Sequence, residues 1–145
     1  MSPEAMQPAE KSDLRLIVES FYDALSARDA DGVGAVIDES FAPEAILRRP
    51  ESLPGGGAME GAGKIKKFME AVATMHGGPM DVSALKVHDV LEHAGEDGDD
   101  VVVQLRFPFN GTETSALEWW TIRDLKVVEI RAYYWDTAAM LGGPR

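Results

Sequence analysis

The chain has no cysteine. That excludes a disulfide framework, a thiol nucleophile and thiolate-ligated zinc. It is also short of positive charge: 14 Lys and Arg stand against 25 Asp and Glu, a formal charge of −11 at pH 7. A surface of that sign disfavours nucleic acid and anionic membranes as partners. The one basic cluster, Lys64, Lys66 and Lys67, reads as the wet face of a helix. No apolar run approaches the roughly 18 residues of a membrane span. The opening MSPEAMQPAEKSD is polar and lacks the apolar stretch of a secretory leader. A soluble, cytoplasmic protein is therefore expected.

Several motifs are missing as well. GGGAMEGAGK has Ala58 where a phosphate loop needs its first glycine and Ile65 where it needs Ser or Thr. No G-x-S-x-G nucleophile elbow occurs. His88 and His93 lie five apart on one strand-like segment, so they are expected on opposite faces and unable to share a metal. His76 falls at the end of a helix, where the dipole favours a cation. With no helical His pair and no acid cluster, neither a metal nor a cofactor is expected.

What is present reads as one domain of 145 residues. Residues 1–11 form a loose tail and 12–145 the domain. Leu14, Ile17, Val18, Phe21 and Leu25 recur at helical spacing, and Ser12 can cap that helix. Tyr22 is expected at the border of the stripe, since its neighbour Phe21 fits the core better. RDADG breaks the helix, and a shorter one carries Val33, Val36 and Ile37. PEAILRRP is a short strand stopped by Pro50, and ESLPGGGAMEG is a glycine-rich, mobile loop. AGKIKKFMEAVATM is a third helix, with Ile65, Phe68, Met69 and Val72 inward. Four long strands then follow, joined at GEDGDD, NG and RDLK. Helices first and strands after argue an α+β fold. By period two, Glu118, Trp120 and Ile122 share one face of their strand. Ile130, Ala132 and Tyr134 share a face of the next, with Arg131, Tyr133 and Trp135 opposite.

The order of these segments resembles the nuclear transport factor 2-like superfamily, in its SnoaL-like and ketosteroid-isomerase-like branch. LIVESFYDALSARDADGV is similar to the family's first helix and the break after it. PEAILRRP is similar to its first strand, MEGAGKIKKFM to the entry of its third helix, and WTIRDLKVVEIRAYYWD to its last hairpin. The likeness runs over about residues 14 to 141. It implies a cone-shaped α+β barrel: a long N-terminal helix and two shorter helices packed on a strongly curved, mostly antiparallel sheet around a deep apolar cavity. It further implies a homodimer through the outer face. The face bearing Trp120 and Tyr134 is then the inner one, and Trp119, Tyr133 and Trp135 form an outer aromatic patch for a partner chain to cover.

The family's functional positions transfer unevenly. Where ketosteroid isomerases place an aspartate base, this chain has Arg49. Where they place a tyrosine on the first helix it has Phe21, and where they place a protonated aspartate it has Glu118. The epoxide-hydrolase arginine and two aspartates fall on Leu105, Phe107 and Ala132, which excludes that constellation. The resemblance therefore implies a cofactor-independent cyclase or isomerase acting on a hydrophobic polyketide- or terpenoid-type molecule, with a non-catalytic carrier of the same fold as the alternative. Glu118, the one acid on an otherwise apolar strand face, is the expected acid/base, with Arg49 and Tyr134 polarising a carbonyl. Burial alone raises its pKa; a structural salt bridge to Arg49 lowers it instead. Trp120, Phe107, Leu105, Phe21, Ala132 and Leu47 are the expected substrate-lining residues. The LPGGGAMEG loop is the expected lid, and Asp136 the expected cap of a terminal turn at TAAM.

Overall fold

The computed structural model describes residues 11–141. The expected tail therefore lies outside the described residues except for Lys11. Helix α1, Asp13–Ser26, starts where predicted: the Ser12 hydroxyl accepts from the Arg15 amide at 3.1 Å. Its buried side is Val18, Phe21, Tyr22 and Leu25, the i, i+3, i+4, i+7 stripe of a helix lying on a core. Asp29 caps α2, Ala30–Ser40, by accepting from Gly32 N, and α2 buries Val33 and Ile37. It runs without a loop into β1, Phe41–Arg49. Strand β2, Gly57–Glu60, leads into α3, Ala62–Thr74. After a short 3-10 turn at Val82–Ala84 come β3, Lys86–Gly95, and β4, Gly98–Phe109. Strands β5, Thr112–Arg123, and β6, Lys126–Tyr134, complete the sheet, and α4, Thr137–Met140, ends the described chain.

The six strands form one sheet in the order β2-β1-β6-β5-β4-β3, antiparallel throughout except where β1 runs parallel to β6. Two of its turns have both central residues left-handed: Asn110 and Gly111 at φ 50° and 80°, Asp124 and Leu125 at φ 51° and 60°. Such primed turns match the twist of the strands they join, so β4, β5 and β6 follow one another as a meander. Register shifts interrupt β1, β3 and the β5–β6 pair. An extra residue in one strand bends it, which closes the sheet around the helices. This is the expected cone-shaped α+β architecture.

The period-two reading of the last two strands holds. Trp120, Ile122, Ile130 and Ala132 are buried, while Trp119, Tyr133 and Trp135 are 43, 49 and 84 % exposed. Two local expectations change. The glycine-rich segment is no loose loop, because its second half is β2, paired with Ile46–Arg49 of β1. Its first half is a tight turn, in which Leu53 N donates to Pro50 O at 3.1 Å and Gly56 N to Leu53 O at 2.8 Å. Leu53 itself is buried. A Cβ on Gly56 would lie 1.9 Å from the Pro50 carbonyl oxygen, so only glycine fits there. The turn is pinned by a buried leucine and forms a rim beside β2. The second change concerns the histidines. Register shifts by one between Val87 and Asp89, so His88 sits in a bulge. It reaches Arg106 at 3.2 Å, while His93 faces Asp100 at 3.7 Å. Arg106 and Asp100 both flank inward residues of β4, so the bulge turns both histidines outward, and the opposite-face expectation fails.

Candidate functional site

Where α1 lies against β5, three side chains form a chain of hydrogen bonds. The Trp120 indole is fully buried, with its ring set edge-on to Phe21, Tyr22 and Phe41 at 5.2, 5.8 and 5.8 Å. Its Nε1–H donates to the Tyr22 hydroxyl oxygen at 3.0 Å. An indole N–H can only donate. It therefore takes a lone pair of that oxygen and leaves the phenolic proton to point elsewhere. The proton points at Glu118, whose Oε1 accepts a hydrogen bond from Tyr22. Tyr22, expected at the border of the core, is thus 1 % exposed and central. Phe21, at the position where the resemblance places a tyrosine, is an apolar neighbour of the pair.

Glu118 sits on the inner face between Ala116 and Trp120, opposite Val103 of β4 and Ala132 of β6. Those four neighbours are at most 5 % exposed, yet Glu118 retains accessible surface. A side chain that points into the fold and still meets solvent lines a recess. Burial pushes the Glu118 carboxyl above the usual carboxylate range; the Tyr22 hydrogen bond and the positive charge of Arg49 pull the other way without cancelling it. Burial, and then the negative charge of Glu118, hold the Tyr22 hydroxyl well above its ordinary value. Tyr134 is raised for the same two reasons, with Arg49 opposing. Both phenols are therefore proton donors at neutral pH, and Glu118 is the group able to change protonation.

The three predicted catalytic residues gather at this recess. Arg49 and Glu118 act electrostatically on Tyr134, and Arg49 acts on Glu118. The anticipated Glu118–Arg49 salt bridge is not formed: among the described residues no carboxylate lies within 4.0 Å of Arg49. Its guanidinium stacks over Phe68 at 5.5 Å from the ring centre and donates from Nη1 to the Pro54 and Gly55 carbonyls at 3.4 and 3.3 Å. The rim turn holds it by backbone oxygens where a carboxylate was expected.

The six expected lining residues are all inward and almost fully buried, and Ala132 also borders a pocket at the end of β6. Leu47, Phe21, Leu105, Phe107, Trp120 and Ala132 are 6, 2, 3, 2, 0 and 5 % exposed. They pack as a floor, with Phe107 edge-on to Tyr134 at 6.3 Å. At the end of α3 the expected cation is supplied by Arg28, which donates to the Met75 carbonyl at 2.6 Å and to His76 at 2.9 Å. Asp136 caps the terminal turn as expected, accepting from Ala139 N at 3.0 Å. Among the described residues no group of three or more His, Asp or Glu is placed to hold a metal, and no helix is long and apolar enough to cross a membrane.

Solved structures with this fold share little sequence with the chain. A putative SnoaL-like polyketide cyclase from Jannaschia superimposes with a TM-score of 0.67 at 19 % identity, covering 94 % of this chain and 96 % of that one. An NTF2-like protein of unknown function from Burkholderia pseudomallei gives 0.67 at 22 %, covering 91 % and 97 %. TerC, co-crystallised with polyporic acid, gives 0.65 at 24 %, covering 90 % and 97 %. No curated protein sequence matches the chain. The SnoaL-like domain family matches residues 18–130, well over half the sequence, and the chain belongs to that family.

Proposed function

We propose that this SnoaL-like protein is a cofactor-independent acid/base enzyme, a cyclase or isomerase of a hydrophobic polyketide- or terpenoid-type carbonyl compound. The observation that carries the reading is Glu118: an acid facing a recess in an apolar cone, raised in pKa and fixed from behind by the Tyr22–Trp120 pair. Its Oε1 is occupied by Tyr22, which leaves Oε2 for a proton of the substrate. A base with a raised pKa works nearer neutral pH than an ordinary carboxylate. As a C–H next to a carbonyl loses its proton to Glu118, negative charge grows on the carbonyl oxygen. Tyr134 O–H is the donor we assign to it, and the positive charge of Arg49 nearby favours it. Glu118 then returns the proton to another carbon of the enolate, completing an isomerisation, or the enolate carbon bonds to a second carbonyl carbon of the substrate, whose π bond breaks and whose oxygen takes the proton, completing a ring closure. The structural neighbours lend this reading a lead: one bears the name of a putative polyketide cyclase and another was crystallised with polyporic acid.

The test is deuterium uptake from D2O into a panel of polyene, decalin-like and steroid-like ketones, followed by NMR. Wild type should label one class at the carbon next to the carbonyl, and Glu118→Gln should label it about 10²–10⁴-fold more slowly. Binding without labelling in either protein moves the assignment to a carrier.

A further inference from the structure

Strand β1 stops pairing with β6 at Arg48–Arg131, and the chain turns away at Pro50. Strand β6 runs on to Tyr134. A gap therefore opens in the sheet beside the last residues of β6. It holds a pocket of about 390 Å³, lined from the outer face by Arg48, Arg131 and Tyr133 and from the inner face by Arg49 and Ala132. That volume falls within the ~300–1,000 Å³ of small-ligand sites. Ala132 is the direct cross-strand neighbour of Glu118, so the gap borders the recess.

Three arginines meet here on a chain of net charge −11. Two are already paired, because Glu129 accepts from Arg48 at 2.9 Å and forms an ion pair with Arg131 at 3.3 Å. Arg49 is different. Its hydrogen bonds to the rim turn leave from Nη1, at distances long for N–H···O, and the Tyr134 hydroxyl stands near the guanidinium. The Nε–Nη2 edge meets no carboxylate among the described residues. That edge carries two parallel N–H groups, the fork that a carboxylate fits with both oxygens. Phe68 shields one face of the guanidinium, and the rim turn fixes its position, so little freedom remains to be lost on binding. A larger dianion suits the place less well, since Glu51 also lines the pocket.

We infer that the gap between the ends of β1 and β6 is an anion-binding mouth, in which the Nε–Nη2 edge of Arg49 holds the carboxylate of the substrate while its apolar body passes Ala132 toward Glu118 and Tyr134. The substrate class is then an amphipathic carboxylic acid with a carbonyl in its apolar part. This rests on the acid/base reading only for what happens in the recess; binding can be tested apart from turnover.

The experiment is calorimetric titration of 4-phenylbutanoate and its uncharged analogue 4-phenylbutanamide into wild type, Arg49→Gln, Arg49→Lys and Glu118→Gln. Wild type should bind the acid at least about tenfold more tightly than the amide. Arg49→Gln should erase that preference while leaving the amide within about twofold, and Arg49→Lys should restore part of it. Glu118→Gln should keep the preference, which separates the mouth from the acid/base site. Equal binding of acid and amide to wild type, or a preference that survives Arg49→Gln, overturns the mouth and leaves the acid/base proposal standing. Binding of neither compound overturns the mouth as well, and deuterium uptake then judges Glu118 alone. If Arg49→Gln does not fold, salt decides: the acid should weaken several-fold between about 20 and 300 mM NaCl while the amide does not, and parallel behaviour of the two overturns the inference.

Discussion

Tyr22→Phe removes a single oxygen from the floor of the site, and that oxygen has two partners. Without it the Trp120 N–H has no acceptor, in a residue with no exposed surface. An orphaned buried donor costs about 1–3 kcal/mol. The hydrogen bond to Glu118 is lost as well, worth about 1.5–3 kcal/mol when the acceptor is charged. Part of this is recovered, because Glu118 protonates more readily once the Tyr22 donor is gone, and the recess lets water reach it. A net loss of about 2–4 kcal/mol is expected, a large share of the roughly 5–15 kcal/mol that holds a domain folded. Urea denaturation at pH 7 and fixed protein concentration should show the midpoint falling with an unchanged slope. The cost of the orphaned indole can be separated from the Tyr22–Glu118 bond by a double-mutant cycle with Glu118→Leu. The Trp120 penalty appears in both backgrounds and cancels, leaving a coupling energy of about 1.5–3 kcal/mol for the pair. A coupling below about 0.5 kcal/mol, within the error of additivity, would refute the bond and with it the positioning of Glu118.

Two further outcomes are expected. Burial holds the folded-state pKa of Glu118 above its unfolded value, so in the window between them the folded protein binds more protons. The stability that this contributes is complete below the unfolded pKa and is lost as pH rises through the folded one. Glu118→Gln should abolish that decline, so wild type should lose stability relative to the variant from about pH 4 upward, and a flat difference in urea midpoints up to pH 8 would show an unshifted carboxyl. The outer patch of Trp119, Tyr133 and Trp135 should be covered by a second copy of the chain. Sedimentation equilibrium should find a dimer that Trp119→Asp converts to a folded monomer, whereas a monomeric wild type, or a variant that stays dimeric, removes that assignment.

The parts of this fold legible in the sequence are those governed by local periodicity. The stripe of α1, its Ser12 cap, the Asn110–Gly111 turn and the two faces of β5 and β6 follow from side-chain spacing and turn chemistry within one segment. The misses are features created by a distant strand. Residues 57–60, GAME, contain glycine and no β-branched residue, and they become a strand only because β1 offers an edge to pair with. The His88 bulge exists only relative to β4. Arg49 was readable as a cation near Glu118, but that backbone carbonyls would hold it depends on the path of the turn after Pro50. Tyr22 is another kind of miss, since its signal was present. Residues 18, 21, 22 and 25 form one wide helical face, so choosing between Phe21 and Tyr22 set apart two members of the same stripe.

That displacement by one residue changes what the site can do. In an isomerase-type oxyanion hole a tyrosine and a protonated acid both donate to the substrate oxygen. Adjacent positions on a helix differ by about 100° in direction. A hydroxyl carried at 22 in place of 21 therefore approaches the sheet from another side, and here it meets the acid itself. With the Trp120 N–H behind it, Tyr22 has its proton committed to Glu118 as long as Glu118 is ionised. Tyr22 is then a positioning residue for a base, and not a donor to substrate. The donor role proposed above passes to Tyr134, beside the charge of Arg49, and neither has a carboxylate bound to it among the described residues. Tyr22→Phe should accordingly alter the pH profile of any proton transfer through Glu118, while Tyr134→Phe should lower its rate at every pH.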